Sequence, residues 1–140
     1  MKVYLAARFD RRDELREHRR HLKHAFNIDC TSRWLDNHGL DEGFTYSSQR
    51  LALCASEDIE DIRAADVLVA FTETPDVGYT SGGRHVELGF ALALGKPIIV
   101  VGSIENVFHQ LCSVDQIPMM RVDDWHQATV QLRRIRKAAA

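Results

Sequence analysis

The sequence has few cysteines, no long apolar segment and almost no excess of charge. Its three cysteines, Cys30, Cys54 and Cys112, are scattered and form no CxxC pair, so they indicate neither a disulfide framework nor a zinc site and are interpreted as reduced packing residues. The 18 Lys and Arg residues and 20 Asp and Glu residues leave a formal charge of −2. Such a chain has no overall field to gather nucleic acid or an anionic membrane, and small molecules are the expected partners.

Recognisable targeting, cofactor and repeat motifs are also missing. The apolar run at the start is broken by Arg8 and Asp10, so it predicts neither a signal peptide nor a membrane span, and a cytoplasmic protein is expected. There is no GxGxxG or Walker loop, internal repeat, low-complexity tract or linker. With 140 residues, of which 45% are hydrophobic, the chain is expected to form one domain over residues 1–140.

Apolar strand-like segments alternate with helix-like segments along most of the chain. Strands are predicted over residues 2–7, 28–34, 66–71, 97–101 and 119–122, and helices over residues 47–64, 83–94, 105–111 and 123–137, with a first helix capped by Asp10 or Asp13 and ending near Phe26. This alternation predicts an α/β Rossmann-like, flavodoxin-like domain with about five parallel strands and helices on both faces. A ligand is expected where loops 8–12, 72–82 and 102–106 converge at the carboxyl ends of the strands.

Two acidic residues are placed where a solvated helix face does not easily explain them. Glu87 follows paired glycines and lies among apolar residues in GGRHVELGFALALGKP (82–97). In the first helical turn, free backbone amides and the helix dipole would favour its ionised, nucleophilic form. Asp58 is four residues before Ile62 and so shares a helix face with a predicted core position. One carboxylate that attacks and one that handles the proton is the pattern of glycoside chemistry.

The segment 79–84 opens the helix that carries Glu87. Its backbone amides and hydroxyl groups provide a cradle for phosphate, although the glycines are also explained by a tight turn. Arg8, Phe9 and Arg12 lie where a ligand would meet the first loop, where an aromatic ring could stack on a flat ligand group and an arginine could reach a phosphate. A surface loop with salt bridges is the alternative for both.

The histidines do not predict a metal site. His18, His21 and His24 are spaced along one helix with no further ligand nearby, and a surface position is expected for them. His85 is two residues from Glu87, which places it on another side of the helix, so packing or capping is expected there. No metal is predicted.

The segments DIEDIRAADVLVAF (58–71) and SGGRHVELGFALALGKP (81–97) resemble the nucleoside 2-deoxyribosyltransferase superfamily, which includes nucleoside 5′-monophosphate N-glycosidases. The resemblance extends from Val3 to Val101. It implies that Glu87 attacks the anomeric carbon of the sugar, that Asp58 positions the sugar and assists proton transfer to the leaving base, and that Tyr4 lies near the sugar. It also implies that no cofactor is needed.

One position separates the two branches of the superfamily. The transferases tend to have aspartate six residues before the nucleophile, and the monophosphate hydrolases have serine, which binds phosphate. Here the residue is Ser81, so the resemblance implies a phosphate site made with Gly82 and Gly83, to which Arg84 or Arg8 could add charge-assisted bonds. The segment AARFDRRDEL (6–15) departs from the corresponding hydrolase loop, and the base is not identified.

The superfamily also completes each active site with residues from a neighbouring subunit. Asn106 is the candidate for this contribution, with a helix cap as the alternative, and a homodimer or larger homo-oligomer is expected. The sequence therefore predicts cleavage of the N-glycosidic bond of a nucleoside or deoxynucleoside 5′-monophosphate through a glycosyl-Glu87 intermediate. The alternatives are transfer of the deoxyribosyl group to a second base and, in another class, a nucleotide-sensing module without turnover.

Overall fold

A computed structural model describes residues 1–36, 47–74, 76–77 and 82–140. Its centre is one parallel sheet with the strand order β2-β1-β3-β4-β5. The strands are β1 (Lys2–Ala6), β2 (Asp29–Cys30), β3 (Val67–Phe71), β4 (Ile98–Val101) and β5 (Met119–Val122). This order is that of the flavodoxin-like fold, and the predicted five-stranded parallel sheet is confirmed.

Helices cover both faces of the sheet, as the alternating sequence pattern predicts. They are α1 (Arg12–Phe26), α2 (Ser48–Ala64), α3 (Gly83–Ala93) and α4 (Trp125–Ala138). On one face α1 meets α4, where the ring of His18 stacks on that of Trp125 with 4.2 Å between centroids. On the other face α2 packs against α3, and β1 and β3 lie beneath them. Short 3₁₀ segments occur at Phe9–Arg11, Arg33–Asp36 and Val107–Ser113.

The central strands are buried on both faces because helices cover each side. Every residue of β3 and β4 is buried, which explains why these segments are continuous apolar runs without alternation. Among the described residues, no helix is both long enough and apolar enough to cross a membrane. The strand order reverses direction between β1 and β3, so the expected ligand position lies at the carboxyl ends of these two strands.

The second predicted strand is much shorter than expected. It was predicted over residues 28–34, but only Asp29–Cys30 pair with β1. Beyond that point, side chains take over the backbone groups of β1: the Leu5 N–H donates to Oγ of Ser32 at 2.7 Å, and Nε1 of Trp34 donates to the Leu5 carbonyl at 2.9 Å. These bonds satisfy the edge of β1 without a longer ladder.

Three other expectations need correction or fall outside the described residues. Helix α1 has Arg11 as its N-cap and no side-chain cap, so neither Asp10 nor Asp13 caps it. His18 is not a surface residue, because its ring lies between Trp125 and Phe71. The predicted loop 35–44 begins inside a 3₁₀ segment with Leu35 fully buried, and its positions 37–44 lie outside the described part of the chain.

Candidate active site

Tyr4 and Glu87 are joined by a hydrogen bond beneath helices α2 and α3. The tyrosine lies in the middle of β1 with no exposed surface, and its hydroxyl donates to Oε1 of Glu87 at 2.7 Å. Burial and the charges of Glu87 and Asp58 raise the pKa of Tyr4 above its ordinary value. The hydroxyl therefore keeps its proton and remains a donor.

Asp58 approaches the same hydroxyl from α2. Its pKa is raised to about 6, chiefly by burial, while hydrogen bonding from Tyr4 opposes the rise. The pKa of Glu87 is raised to about 7, again chiefly by burial, with a further contribution from the charge of Asp58. Two carboxyl groups and one buried phenol thus form a coupled site that titrates near neutral pH. Such a site can supply a nucleophile and a proton-transfer group at the same pH.

Glu87 differs from the sequence expectation in two respects. Because α3 begins at Gly83, Glu87 is the fifth helical residue and lies beyond the first turn. Its ionised form is therefore not favoured by free amides, and burial instead makes the neutral form easier to reach. The apolar neighbours that drew attention to Glu87 in the sequence are the physical cause of this shift.

The glycines before Glu87 shape the start of α3. Gly82 is the N-cap and has φ +78°, and no side chain caps the helix. A Cβ atom would strain the backbone at Gly82, because L-residues rarely adopt this conformation. Among the described residues, no atom lies within 4 Å of a Cβ added at Gly82 or Gly83. Ser81, the third member of the predicted phosphate site, lies outside the described residues.

Arg84 forms an ion pair that the sequence did not predict. Its side chain is only 4% exposed and its Nη2 lies 2.5 Å from Oε1 of Glu105. Arg84 is therefore engaged in a buried ion pair, and its role as an additional phosphate ligand stays a prediction. Sequence reasoning missed Glu105 as a partner, since an isolated acid in the loop after β4 carries no periodic signal.

Asn106 and two histidines surround this ion pair. Oδ1 of Asn106 accepts the N–H of Phe108 at 2.9 Å, so the cap alternative describes this residue within the chain. Its amide nitrogen lies 3.3 Å from Nδ1 of His85. The Glu105 N–H donates to Nδ1 of His109 at 3.2 Å. The loop after β4 is thus fastened to the first turn of α3.

His85, Glu105 and His109 bring possible metal-ligating atoms within 4.8 Å of one another. The hydrogen bonds oppose this use. Nδ1 of each histidine accepts from an N–H group, that of His85 from Asn106 and that of His109 from the Glu105 backbone, which leaves the proton of each neutral ring on Nε2. A protonated nitrogen cannot bind a metal ion. The three groups therefore fit a hydrogen-bonded cluster better than a metal centre.

The first loop lies at the carboxyl end of β1. Arg8 forms a 2.7 Å ion pair with Asp10 and is 28% exposed. Phe9 is 37% exposed; the guanidinium of Arg12 lies 4.7 Å from its ring centroid, and the ring of Trp34 is 6.2 Å away. Both features of the sequence interpretation, an exposed ring and surface ion pairing, occur together in this loop.

Arg11 was not singled out in the sequence. Its Nη1 donates to the carbonyl of Thr72 at 3.2 Å and lies 3.3 Å from Oε1 of Glu73, while its guanidinium covers the ring of Phe71. Arg11 thereby ties the first loop to the carboxyl end of β3. The available signal was a basic residue in the loop that follows a central strand. The segment RFDRRDEL contains several basic residues, so Arg11 did not stand out.

Comparison of the chain with solved structures finds the same fold. A 2-deoxyribosyltransferase from Bacillus psychrosaccharolyticus is 21% identical with a TM-score of 0.66, covering 91% of this chain and 90% of the other. A CMP N-glycosidase from Clostridium botulinum is 20% identical with a TM-score of 0.57, covering 95% and 98%. A conserved protein from Enterococcus faecalis V583 is 20% identical with a TM-score of 0.57, covering 97% and 98%. A comparison with curated proteins gives no match.

Family membership rests on the sequence itself. The family model described as nucleoside 2-deoxyribosyltransferase matches residues 3–129, a range that contains Tyr4, Asp58 and Glu87. The match extends well beyond the segments that carry the resemblance in the sequence, and it spans all five strands. The chain belongs to the nucleoside 2-deoxyribosyltransferase family, whose members are enzymes acting on nucleosides or nucleotides.

Proposed function

We propose that this enzyme cleaves the N-glycosidic bond of a nucleoside or deoxynucleoside 5′-monophosphate and releases the base to water. The observation that carries the proposal is the hydrogen bond of 2.7 Å between Tyr4 and Glu87, with Asp58 facing the same hydroxyl. A buried carboxyl group held by a protonated phenol is oriented for attack, because the phenol fixes the position of one of its oxygens.

The reaction proceeds in two displacements at the anomeric carbon. Between their two pKa values the coupled carboxyl groups hold one proton, and the reacting form is the one with that proton on Asp58 and with Glu87 ionised. In the first displacement, a carboxylate oxygen of Glu87 bonds to C1′ while the C1′–N bond breaks, and the base leaves with the electron pair and the proton from Asp58. In the second, water attacks C1′, the ester to Glu87 breaks, and Asp58 takes the proton of the water. The negative site stabilises the positive charge that develops on the sugar in both steps.

The preference for a monophosphate is proposed from the start of α3. Gly82 is the N-cap of this helix and has no side chain to cap it, and within the described part of the chain no atom lies within 4 Å of a Cβ added at Gly82 or Gly83. Backbone amides at such a helix start suit a phosphate group. We propose Ser81 as a further phosphate ligand, with Arg8 and the exposed Phe9 facing the nucleotide. A solved structure of the same fold is described as a CMP N-glycosidase, which is consistent with a monophosphate substrate.

Transfer of the deoxyribosyl group to a second base is the alternative. The family is described by that activity, and a solved structure of the same fold is a 2-deoxyribosyltransferase. Both reactions share the glycosyl-Glu87 intermediate and differ only in whether water or a base accepts the sugar. Ser81, in place of the aspartate that the transferases tend to have at this position, favours hydrolysis of a phosphorylated substrate.

We also propose a homodimer or larger homo-oligomer with shared active sites. Asn106 lies in the loop that is fastened to the first turn of α3 through His85, close to the proposed phosphate site. We propose that Asn106 contributes to the nucleotide site of a neighbouring subunit in this assembly. Size-exclusion chromatography with light scattering tests the assembly, and a monomer at all concentrations contradicts it.

The activity is tested by measuring base release from ribo- and deoxyribonucleosides and their 5′-monophosphates, each with and without a second free base. The proposal predicts release from monophosphates in water alone, with kcat/KM at least tenfold above that of the matching nucleosides. Product formed only with an acceptor base identifies a transferase instead. Equal cleavage of nucleosides and monophosphates contradicts the phosphate site.

Glu87→Ala provides the matching variant test. It should abolish base release while nucleotide binding, measured by calorimetry, persists. Glu17→Ala is a suitable control, because Glu17 is an exposed residue of α1 that pairs with Arg20. Undiminished turnover by Glu87→Ala would remove Glu87 as the nucleophile.

A further inference from the structure

Arg84 is a buried cation on the helix that carries Glu87. It lies three residues earlier in α3, a spacing that places two side chains on the same side of a helix. Its side chain is 4% exposed, and its guanidinium is held by Glu105. An arginine keeps its charge at every accessible pH, so the site contains one fixed positive charge beside carboxyl groups that titrate.

The contacts around Arg84 hold this charge in a defined place. Glu105 is itself fixed, since its backbone N–H donates to His109, and the neighbouring Asn106 meets His85 in the first turn of α3. The arrangement is therefore rigid on the side facing the helix. Since the guanidinium is bound by a carboxylate and shielded from solvent, it is not free to bind a phosphate group.

The ion pair between Arg84 and Glu105 is not an efficient way to stabilise the folded protein. Nε of Arg84 and Oε2 of Glu105 are buried, and within the described part of the chain neither has a hydrogen-bond partner. Burying such atoms costs free energy, and apolar residues of similar size often stabilise a protein as well as a buried ion pair does. A cost of this kind next to a nucleophile points to a role in the reaction.

We propose that Arg84, held in place by Glu105, is a positioning residue that favours the ionised, attacking form of Glu87. This inference rests on the proposed function of Glu87 as the nucleophile. Burial of Glu87 works against its ionisation, and the positive charge of Arg84 partly offsets this effect. The loop after β4, which carries Glu105, thereby favours the ionised form of the nucleophile through Arg84.

Charged groups from several elements act on Glu87, and their directions are consistent with this role. Burial raises the pKa of Glu87 to about 7; the Tyr4 hydroxyl on β1 and the charge of Arg84 lower it, and Asp58 on α2 raises it. The imidazoles of His85 and His109 beside Glu105 have lowered pKa values, chiefly because of burial, which favours their neutral forms.

The test compares Arg84→Gln, which removes the charge, with Arg84→Lys, which keeps it. The measurement is the pH dependence of kcat/KM for base release from a monophosphate. For Arg84→Gln we expect the acid limb to move to higher pH by about half a unit, the size of effect that one nearby charge produces in a partly screened site. Arg84→Lys should retain the position of the limb.

Two further variants make the outcome decisive. Arg84→Gln combined with Glu105→Gln removes both buried charges, so it avoids leaving Glu105 unpaired, and it should show the same upward shift. Arg121→Gln removes an exposed arginine paired with Asp123 and should leave the profile unchanged. If the acid limb of the kcat/KM profile stays in place in the double variant while kcat falls, the proposal is overturned. Arg84 then has a structural role.

Two readouts separate this inference from other possibilities. If Arg84 binds phosphate, Arg84→Gln should raise KM for monophosphates without moving the limb, and that result also overturns the proposal. Carbon-13 NMR titration of the glutamate carboxyls, assigned with Glu87→Gln, follows the ionisation of Glu87 without turnover. An upward shift in Arg84→Gln supports the electrostatic role even if base release fails, and its absence contradicts it.

Discussion

The hydroxyl of Tyr4 donates a hydrogen bond to Glu87 across 83 positions of sequence, with 2.7 Å between the two oxygens. The bond connects the middle of β1 to the second turn of α3, so the sheet directly orients the proposed nucleophile. Because the phenol is fully buried, replacing it with Phe removes one oxygen and little else.

Tyr4→Phe should therefore slow base release more than it affects folding. Loss of the donor disfavours the carboxylate form of Glu87, since Tyr4 lowers its pKa. We expect kcat to fall by about tenfold to a hundredfold, given about 1.4 kcal/mol per tenfold change, and the acid limb of the rate profile to move to higher pH. Pre-steady-state base release across pH 5 to 9 measures both effects, and an unchanged limb contradicts the role of the bond.

Asp58→Asn tests proton transfer to the leaving base. General acid catalysis contributes about 10² to 10⁴ in rate, so we expect a loss of that size for ordinary bases. A 7-methylguanine nucleotide, whose base leaves without needing a proton, should lose much less. Glu60→Gln is the control, because Glu60 is an exposed residue on the same helix that pairs with Arg33. Equal losses for both leaving groups argue against Asp58 as the acid.

The raised pKa values predict that stability falls as the pH rises. Burial raises the pKa of Glu87 from 4.5 to about 7 and that of Asp58 from 3.8 to about 6, so the unfolded chain releases these protons first. These two groups contribute most to the free energy of unfolding below about pH 4. Their contribution is lost as the pH rises to about 7. For Glu87 the loss is about 3 kcal/mol.

Glu87→Gln should remove the part of this pH-dependent loss of stability that comes from Glu87. Urea unfolding of the two proteins at pH 5 and pH 8 gives the comparison, and the variant should lose less stability between these values than the wild type does. Parallel changes with pH in both proteins would show that Glu87 is not buried in its folded environment as described.

The start of α3 can be tested by adding a single methyl group. Gly82→Ala places a Cβ at φ +78°, which costs about 1 kcal/mol or more and displaces the helix start. We expect a lower Tm and a marked rise in KM for monophosphates. Gly89→Ala is the control, because its Cβ would meet no atom within 4 Å inside α3, and there alanine should be neutral or stabilising. Equal KM values for the two variants contradict the proposed phosphate site.

The segments whose structure follows from local pattern were predictable from the sequence. The runs over 67–71 and 98–101 are apolar throughout because helices cover both faces of β3 and β4. Ser47 caps α2 by accepting the Arg50 N–H, as the predicted start of that helix requires. Asp58 was linked to the site by its spacing from Ile62, and its place near Tyr4 and Glu87 agrees with that interpretation.

The remaining features depend on partners far away in the sequence. The short β2 results from side chains of Ser32 and Trp34 that bind the backbone of Leu5, which no local propensity encodes. The Arg84–Glu105 pair joins two residues 21 positions apart, so neither the partner of Arg84 nor its burial could be read from the local sequence. The raised pKa of Glu87 likewise requires knowledge of what surrounds it.

The most direct test of the central claim is to trap the covalent intermediate. The enzyme is incubated with a 2′-deoxy-2′-fluoroarabinonucleoside 5′-monophosphate, whose fluorine slows the second displacement, and is then analysed by intact and peptide mass spectrometry. We predict one phosphorylated fluorosugar per chain, attached to the peptide that contains Glu87 and absent from Glu87→Gln. Base release without any adduct, or an adduct on another residue, would contradict the proposed mechanism.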